Sequence, residues 1–180
     1  MRCLTYSECR TWCLEHDYPV IDADDYGRPA PAFMDQFEEI QLAACDDKES
    51  VSRARHVIEW ASRENGEVLL WVGDWAVWPS HQHMPLFTRF REGCGERRPL
   101  IEAPGHLIAP HDLDDGISVL AAALLFMWDC SVFPANRGPV FFTSHDEWNS
   151  FFVPPGYDAG PLLHKFGAIL AGGEPNQIFH

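Results

Sequence analysis

A chain of 180 residues, 46% apolar and 13% aromatic, fits a single globular domain over residues 1–180. A domain of that size can bury roughly 70% of its unfolded surface without metals or disulfides to hold it. Thirteen Lys and Arg stand against 27 Asp and Glu, a net charge of −14, which argues against binding to nucleic acid or anionic membranes and would draw in a basic protein partner.

Taken in order, Thr5-Tyr6-Ser7-Glu8 has the form of a capping box and predicts a helix to about His16, with Cys9, Trp12 and Cys13 inside. Tyr18 to Ile21 reads as a short strand, placed near an edge by Pro19, and Asp22 to Pro31 as an exposed loop. The spacing of Phe33, Phe37 and Ile40 predicts a helix over Ala32 to Ala44. Asp46 and Asp47 suit the amino end of the next helix, about Glu49 to Arg63, which would bury Val51, Ala54, Val57, Ile58 and Ala61.

Asn65-Gly66 then turns the chain into EVLLWVGDWAVWPS, Glu67 to Ser80. Val68, Leu70 and Val72 would face one side of a strand, and Leu69, Trp71 and Trp75 the other. Apolar residues on both sides describe a strand covered on both faces, in the middle of a sheet. Asp74 is the one charge, near the strand's carboxyl end.

Pro85 suits the first turn of a helix with Leu86, Phe87 and Phe90 inward and Arg89, Arg91 and Glu92 outward, ending at Gly93. Leu100 to Glu102 and His106 to Ile108 read as short strands. Asp112, Asp114 and Asp115 precede the longest helix, which runs to about Trp128 and is apolar on every side, so one of the three should cap a buried helix. Ser131 to Phe133 and Val140 to Thr143 predict a hairpin. Ser144-His145-Asp146-Glu147 repeats the capping-box form and predicts a short helix through Trp148 or as far as Phe152, and Leu162 to Leu170 a further turn of helix. The total is an α/β (α+β) fold: a mixed β-sheet of about five short strands flanked by four or five helices.

After Met1 the chain enters a polar helix with no apolar leader, and its most apolar run, Ile117 to Trp128, is shorter than the about 20 residues a bilayer span needs. Six scattered cysteines without CxxC spacing then read as reduced thiols of a cytoplasmic protein.

The candidate chemistry is sparse. His81-Gln82-His83, with His106 and His111, could ligate a metal, but the pair falls in a loop and lacks an acidic or thiol ligand at a diagnostic spacing. Ser144-His145-Asp146 holds the residue types of a triad, but adjacent residues cannot converge as a triad must. Cys94 lies between glycines with Arg97-Arg98 nearby, and Asp22, Asp24 and Gly27 resemble the start of a calcium loop that then lacks its acidic twelfth residue, Phe33 standing there. No metal and no cofactor is expected.

WVGDWAVWPS, EAPGH at Glu102 to His106 and SHDEW at Ser144 to Trp148 resemble segments of small uncharacterised bacterial proteins, a resemblance that spans about Glu67 to Trp148 and implies no catalytic residues. In size, acidity and lack of catalytic motifs the chain is also similar to bacterial immunity proteins, which neutralise a cognate toxin by binding it. The expectation is an acidic protein-binding domain, a stoichiometric inhibitor or immunity factor for a basic partner, rather than an enzyme. Asp74, Trp75, Trp78, His81 and His83 would form its partner-binding site, because there a charge, two tryptophans and two histidines leave the sheet together. The alternative is a hydrolytic or metal-assisted enzyme using Asp74, His81, His83 and His106 at the carboxyl ends of the strands.

Overall fold

In the computed structural model, which describes residues 1–43, 46–63, 66–75, 80–167 and 169–170, the strand β5, Val68–Val72, lies third in a sheet of eight. With β1 at Arg2–Leu4, β4 at Glu38–Gln41, β6 at Gly105–Ile108, β7 at Cys130–Pro134, β8 at Val140–Thr143, β9 at Asn149–Val153 and β10 at Ile169–Leu170, the order is β1-β6-β5-β7-β8-β9-β4-β10. A separate ribbon pairs β2, Val20–Ile21, with β3, Ala30–Pro31. The helices are α1 at Tyr6–Glu15, α2 at Ser50–Ala61, α3 at Met84–Gly93, α4 at Leu113–Leu125 and α5 at Gly160–Phe166.

The fold is α+β, but the sheet is larger than expected and antiparallel at every described pairing rather than mixed. The cause lies in the connections. The segment holding α3 leaves and re-enters the sheet at the same end, so β6 returns antiparallel beside β5. Helix α4 then crosses over β5 to reach β7, on β5's other side. β6 and β7 therefore run parallel to each other without touching.

Both faces of β5 are covered, as its composition requires. Val68, Leu70 and Val72 join the cluster under α2, α3, α4 and α5, while Leu69 and Trp71 join the cluster under α1. Trp75 departs from the expected alternation and packs against the first cluster, because β5 ends at Val72 and the period-two rule ends with it. Helix α4 closes on the sheet at Gly116, where a Cβ would stand 3.1 Å from Ile108 Cγ1. Helix α1 is capped as expected: Glu8 N donates to Thr5 Oγ1, and Thr5 N donates to Glu8 Oε2 at 2.7 Å. Asp46 accepts from Glu49 N at 3.0 Å ahead of α2, whereas Asp112, the N-cap of α4, takes no helix amide on its side chain.

Several expectations are overturned. The helix expected over Ala32 to Ala44 is absent from its described part, residues 32–43: a 3-10 turn at Phe33–Asp35 leads into β4, which pairs with β9 and β10. Three apolar residues at helical spacing were satisfied differently, Phe33 and Phe37 on the α1 side and Ile40 on the other, once β9 offered ladder hydrogen bonds. Ser144 to Trp148 is a turn, not a helix start, with Ser144 Oγ accepting from Asp146 N at 3.2 Å before β9. Leu100 to Glu102 forms a turn rather than a strand. Val51 and Leu86 face solvent, at 50% and 66% exposure, because the inward stripes run through Ala54, Val57, Ile58 and Ala61 on α2 and through Phe87 and Phe90 on α3. Arg91 follows Phe87 at i+4 and is therefore buried, not outward; its guanidinium donates to Ala103 O at 2.7 Å and Arg98 O at 3.1 Å.

Candidate functional site: an aromatic and acidic cavity beyond β5

Where β5 ends, the ladder with β7 continues in the backbone. Gly73 N donates to Asp129 O and Asp129 N donates to Asp74 O, each at 2.8 Å. These bonds hold Asp74 and Asp129 side by side at one end of the sheet. Both line a cavity of about 590 Å³ under the Asp22 to Pro31 loop, a volume in the range of small-ligand sites.

The floor follows from strand register. Across β1, β6, β5, β7, β8 and β9, Leu4, Gly105, Trp71, Ser131, Phe142 and Ser150 stand opposite one another in one row on the α1 face. Large residues alternate with small ones, which leaves three hollows. At Gly105 a Cβ would collide with Cys9 Sγ, so α1 fills that hollow with a thiol. Ser150 Oγ donates to Glu39 Oε1 at 2.6 Å. Only the hollow over Ser131 is left open, and Ser131, Trp71, Phe142 and Phe33 all line the cavity.

The mouth is built by Tyr6, Asp24, Tyr26 and Arg28. Asp24 accepts from the amides of Tyr26 at 2.9 Å and Arg28 at 2.8 Å, and from Arg28 Nη2 at 3.1 Å. Against a cost from burial, those amides and the guanidinium hold its carboxyl below the ordinary range. Arg28 lies over the rings of Tyr6 and Tyr26, 5.1 and 4.7 Å from their centroids, and Nη1 donates to Tyr6 Oη at 2.9 Å. The segment that resembles a calcium loop is thus tied down by its own arginine.

Behind Asp129 sits His145, in the turn between β8 and β9. Its amide and its ring Nδ1 both meet Asp129 Oδ1, each at 2.8 Å. Burial works against the charged ring, but the hydrogen bond and charge of Asp129, with Asp146 and Asp74, raise its pKa above the usual histidine value. A second hollow, of about 500 Å³, is lined by Asp46, Asp47, Glu147 and Asn149 and has no aromatic wall.

Of the residues expected to bind a partner, Asp74 and Trp75 line the first cavity. Trp78 lies outside the described residues. His81 and His83 are exposed in and beside a 3-10 turn and line neither cavity; His83 stacks on Phe126 with centroids 4.2 Å apart. His106 does not join Asp74 either. It is fully buried on β6 against Phe87, where burial and then the charge of Arg91 push its pKa down to about 3 and keep it neutral.

Among the described residues no group of three or more His, Cys, Asp or Glu could hold a metal ion, and no helix is long and apolar enough to cross a membrane. Burial raises the pKa of Cys94, the reverse of an activated thiol, while Arg98 is taken up by Glu96. Burial also pushes the thiol of Cys13 up to about 12.

Sequence reasoning missed Ser131, Asp129, Arg28 and His145. Ser131 and Asp129 become visible only once β7 is placed in register with β5, which no local pattern gives. Asp24 and Arg28 lie in a loop whose composition reads as solvent-facing. His145 was read as one part of an apparent helix cap and set aside as a triad member, because its partner Asp129 is distant in sequence. No protein-family model, curated protein or solved structure matches the chain.

Proposed function

We propose that the chain is an acidic protein-binding domain that acts stoichiometrically on a basic protein partner, as an inhibitor or immunity factor, through the end of the sheet where Asp74 and Trp75 lie. The observation that carries this reading is the gathering of Asp24, Asp74 and Asp129 with Tyr6, Tyr26, Trp71 and Trp75 around one open cavity. Aromatic anchors beside charge are what interface hot spots use, and a net charge of −14 steers a basic partner toward them. The test mixes purified chain with the purified product of a neighbouring gene. The expected outcome is a complex of fixed stoichiometry whose association rate falls about tenfold or more from low to physiological salt. No complex with any co-encoded protein at low salt would overturn it.

A second reading is a hydrolytic enzyme, favoured by one contact, the 2.8 Å hydrogen bond between Asp129 and His145 beside the cavity. A carboxylate that orients a histidine and raises its basicity is an arrangement used for general-base work. Turnover of ester, amide or phosphoester substrates that disappears in His145→Ala would favour this reading over the first.

A further inference from the structure

We propose that the cavity beyond β5 is a receptor for one arginine side chain of the basic partner. The inference rests on the partner-binding reading above and gives that site its ligand chemistry.

Three observations converge on a guanidinium. The first is shape and surface. Trp71 and Phe142 flank the small Ser131, and Tyr6, Tyr26 and Trp75 complete aromatic walls around a space of about 590 Å³. Flat aromatic walls suit a planar, delocalised cation that stacks, better than the compact and strongly hydrated ammonium of lysine.

The second is the polar equipment of the floor. Ser131 is 4% exposed and lines the cavity, yet its hydroxyl makes no hydrogen bond to another described residue. The other two hollows of the row are occupied, by Cys9 and by the Ser150–Glu39 bond, so Ser131 is the one buried polar group of the row that faces open space. Asp129 offers the complementary charge. His145 occupies Oδ1, while Oδ2 has no hydrogen-bond partner among the described residues and the side chain remains 23% exposed. A guanidinium with five donors in a fixed fork can meet a carboxylate oxygen and a hydroxyl together.

The third is that the molecule already uses this chemistry a few residues away. Arg28 lies over Tyr6 and Tyr26 and pairs with Asp24 through Nε at 3.3 Å and Nη2 at 3.1 Å. The mouth thus holds an arginine of the chain's own between aromatic rings and a carboxylate. Among the described residues the lining carries three carboxylates and this single guanidinium, an excess of negative charge that a second guanidinium would relieve.

The experiment titrates the full chain with N-acetyl-arginine methylamide and follows amide and indole NMR signals, with the citrulline analogue as the neutral isostere and the lysine analogue as the compact cation. Arginine is expected to give saturable shifts at Trp71, Ser131 and Asp129 with affinity in about the millimolar range, as a single anchor detached from its protein should. The citrulline analogue should bind at least about tenfold more weakly, and Asp129→Asn should weaken arginine by about as much. Ser131→Leu, which fills the hollow, should abolish the shifts. Variants are compared only if their unfolding midpoint matches the parent's, and Tyr26→Ala, at an exposed loop position, supplies a variant whose folding is not at stake.

Citrulline binding as tightly as arginine, lysine binding more tightly than arginine, or shifts that map outside the cavity would each overturn the proposal. The two readings fail separately. If a basic partner binds and the arginine probe neither enters the cavity nor competes, the receptor is refuted and the partner reading stands. If the probe binds as expected and no partner exists, the partner reading is refuted and the cavity's preference for guanidinium stands.

Discussion

The two faces of the sheet are covered by different materials. On one, α2 and α4 pack together and on the strands, with α3 and α5 beside them, and aromatic rings close the remaining gaps; Trp60 and Phe151 meet at 4.8 Å between centroids, Phe141 and Phe151 at 5.4 Å. Among the described residues the other face carries a single helix, α1, whose Cys9 fills the hollow over Gly105. Beyond it the cover is the β2–β3 ribbon, its loop and a 3-10 turn, and there the cavity opens. A helix presents a continuous stripe that can fill every hollow beneath it, whereas a short ribbon held by Asp24 and Arg28 bridges over one. Stability should therefore reside on the helical face and recognition on the other.

The largest expected effect breaks that comparison most directly. Phe151 is fully buried among Trp60, Phe141 and Phe166, and Phe151→Ala should cost about 3–5 kcal/mol in urea unfolding. Tyr26→Ala, at the rim of the cavity, should change stability by no more than about 0.5 kcal/mol. Comparable losses from both would mean that the loop over the cavity is part of the cooperative core.

A smaller effect tests the open hollow itself. Ala123, fully buried in α4 on the helical face, lines neither cavity, so Ala123→Leu should cost about 1–3 kcal/mol. Ser131→Leu makes a change of similar size beneath the other cover, but into the cavity and without breaking a hydrogen bond, and should be within about 0.5 kcal/mol of neutral. An equal cost at both positions would show that the hollow over Ser131 does not accept a side chain.

The same contrast explains what the sequence could disclose. The features it carried well were those written within one element: the capping box of α1, the two apolar faces of β5, the β7–β8 hairpin and the buried character of α4. β4 and β9 were misread because their apolar residues also fit helical spacing or follow a cap-like tetrad, and only their mutual pairing decides for strand. Arg91 was placed outside, although two carbonyls at the end of the α3 segment accept from its Nη1 and Nη2 inside. Asp74 and Trp75, which line the cavity, were singled out because they follow a strand that is itself conspicuous. Their companions Asp129 and Ser131 lie just before and within β7, whose Cys130 and Ser131 pair with Val72 and Trp71 of β5, and only that register brings them together.

The smallest effect concerns charge within the cavity. His145 faces Asp129 at the start of β7, Asp146 in its own turn and Asp74 beyond β5, and these carboxylates, against the cost of burial, raise its pKa above the usual value of about 6.5. A raised histidine pKa means that the pair's contribution to stability is fully present below the unfolded pKa and fades as pH rises through the folded one. Arginine binding should run the opposite way. Protonated His145 cancels part of the charge on Asp129, so the affinity of the arginine probe should increase as pH rises through the same transition, while stability declines slightly. Histidine ring NMR locates the midpoint, and Asp129→Asn should move it down. A midpoint unmoved by that substitution would place the source of the shift elsewhere and detach His145 from the cavity; affinity and ring titration that change at different pH would detach it as well.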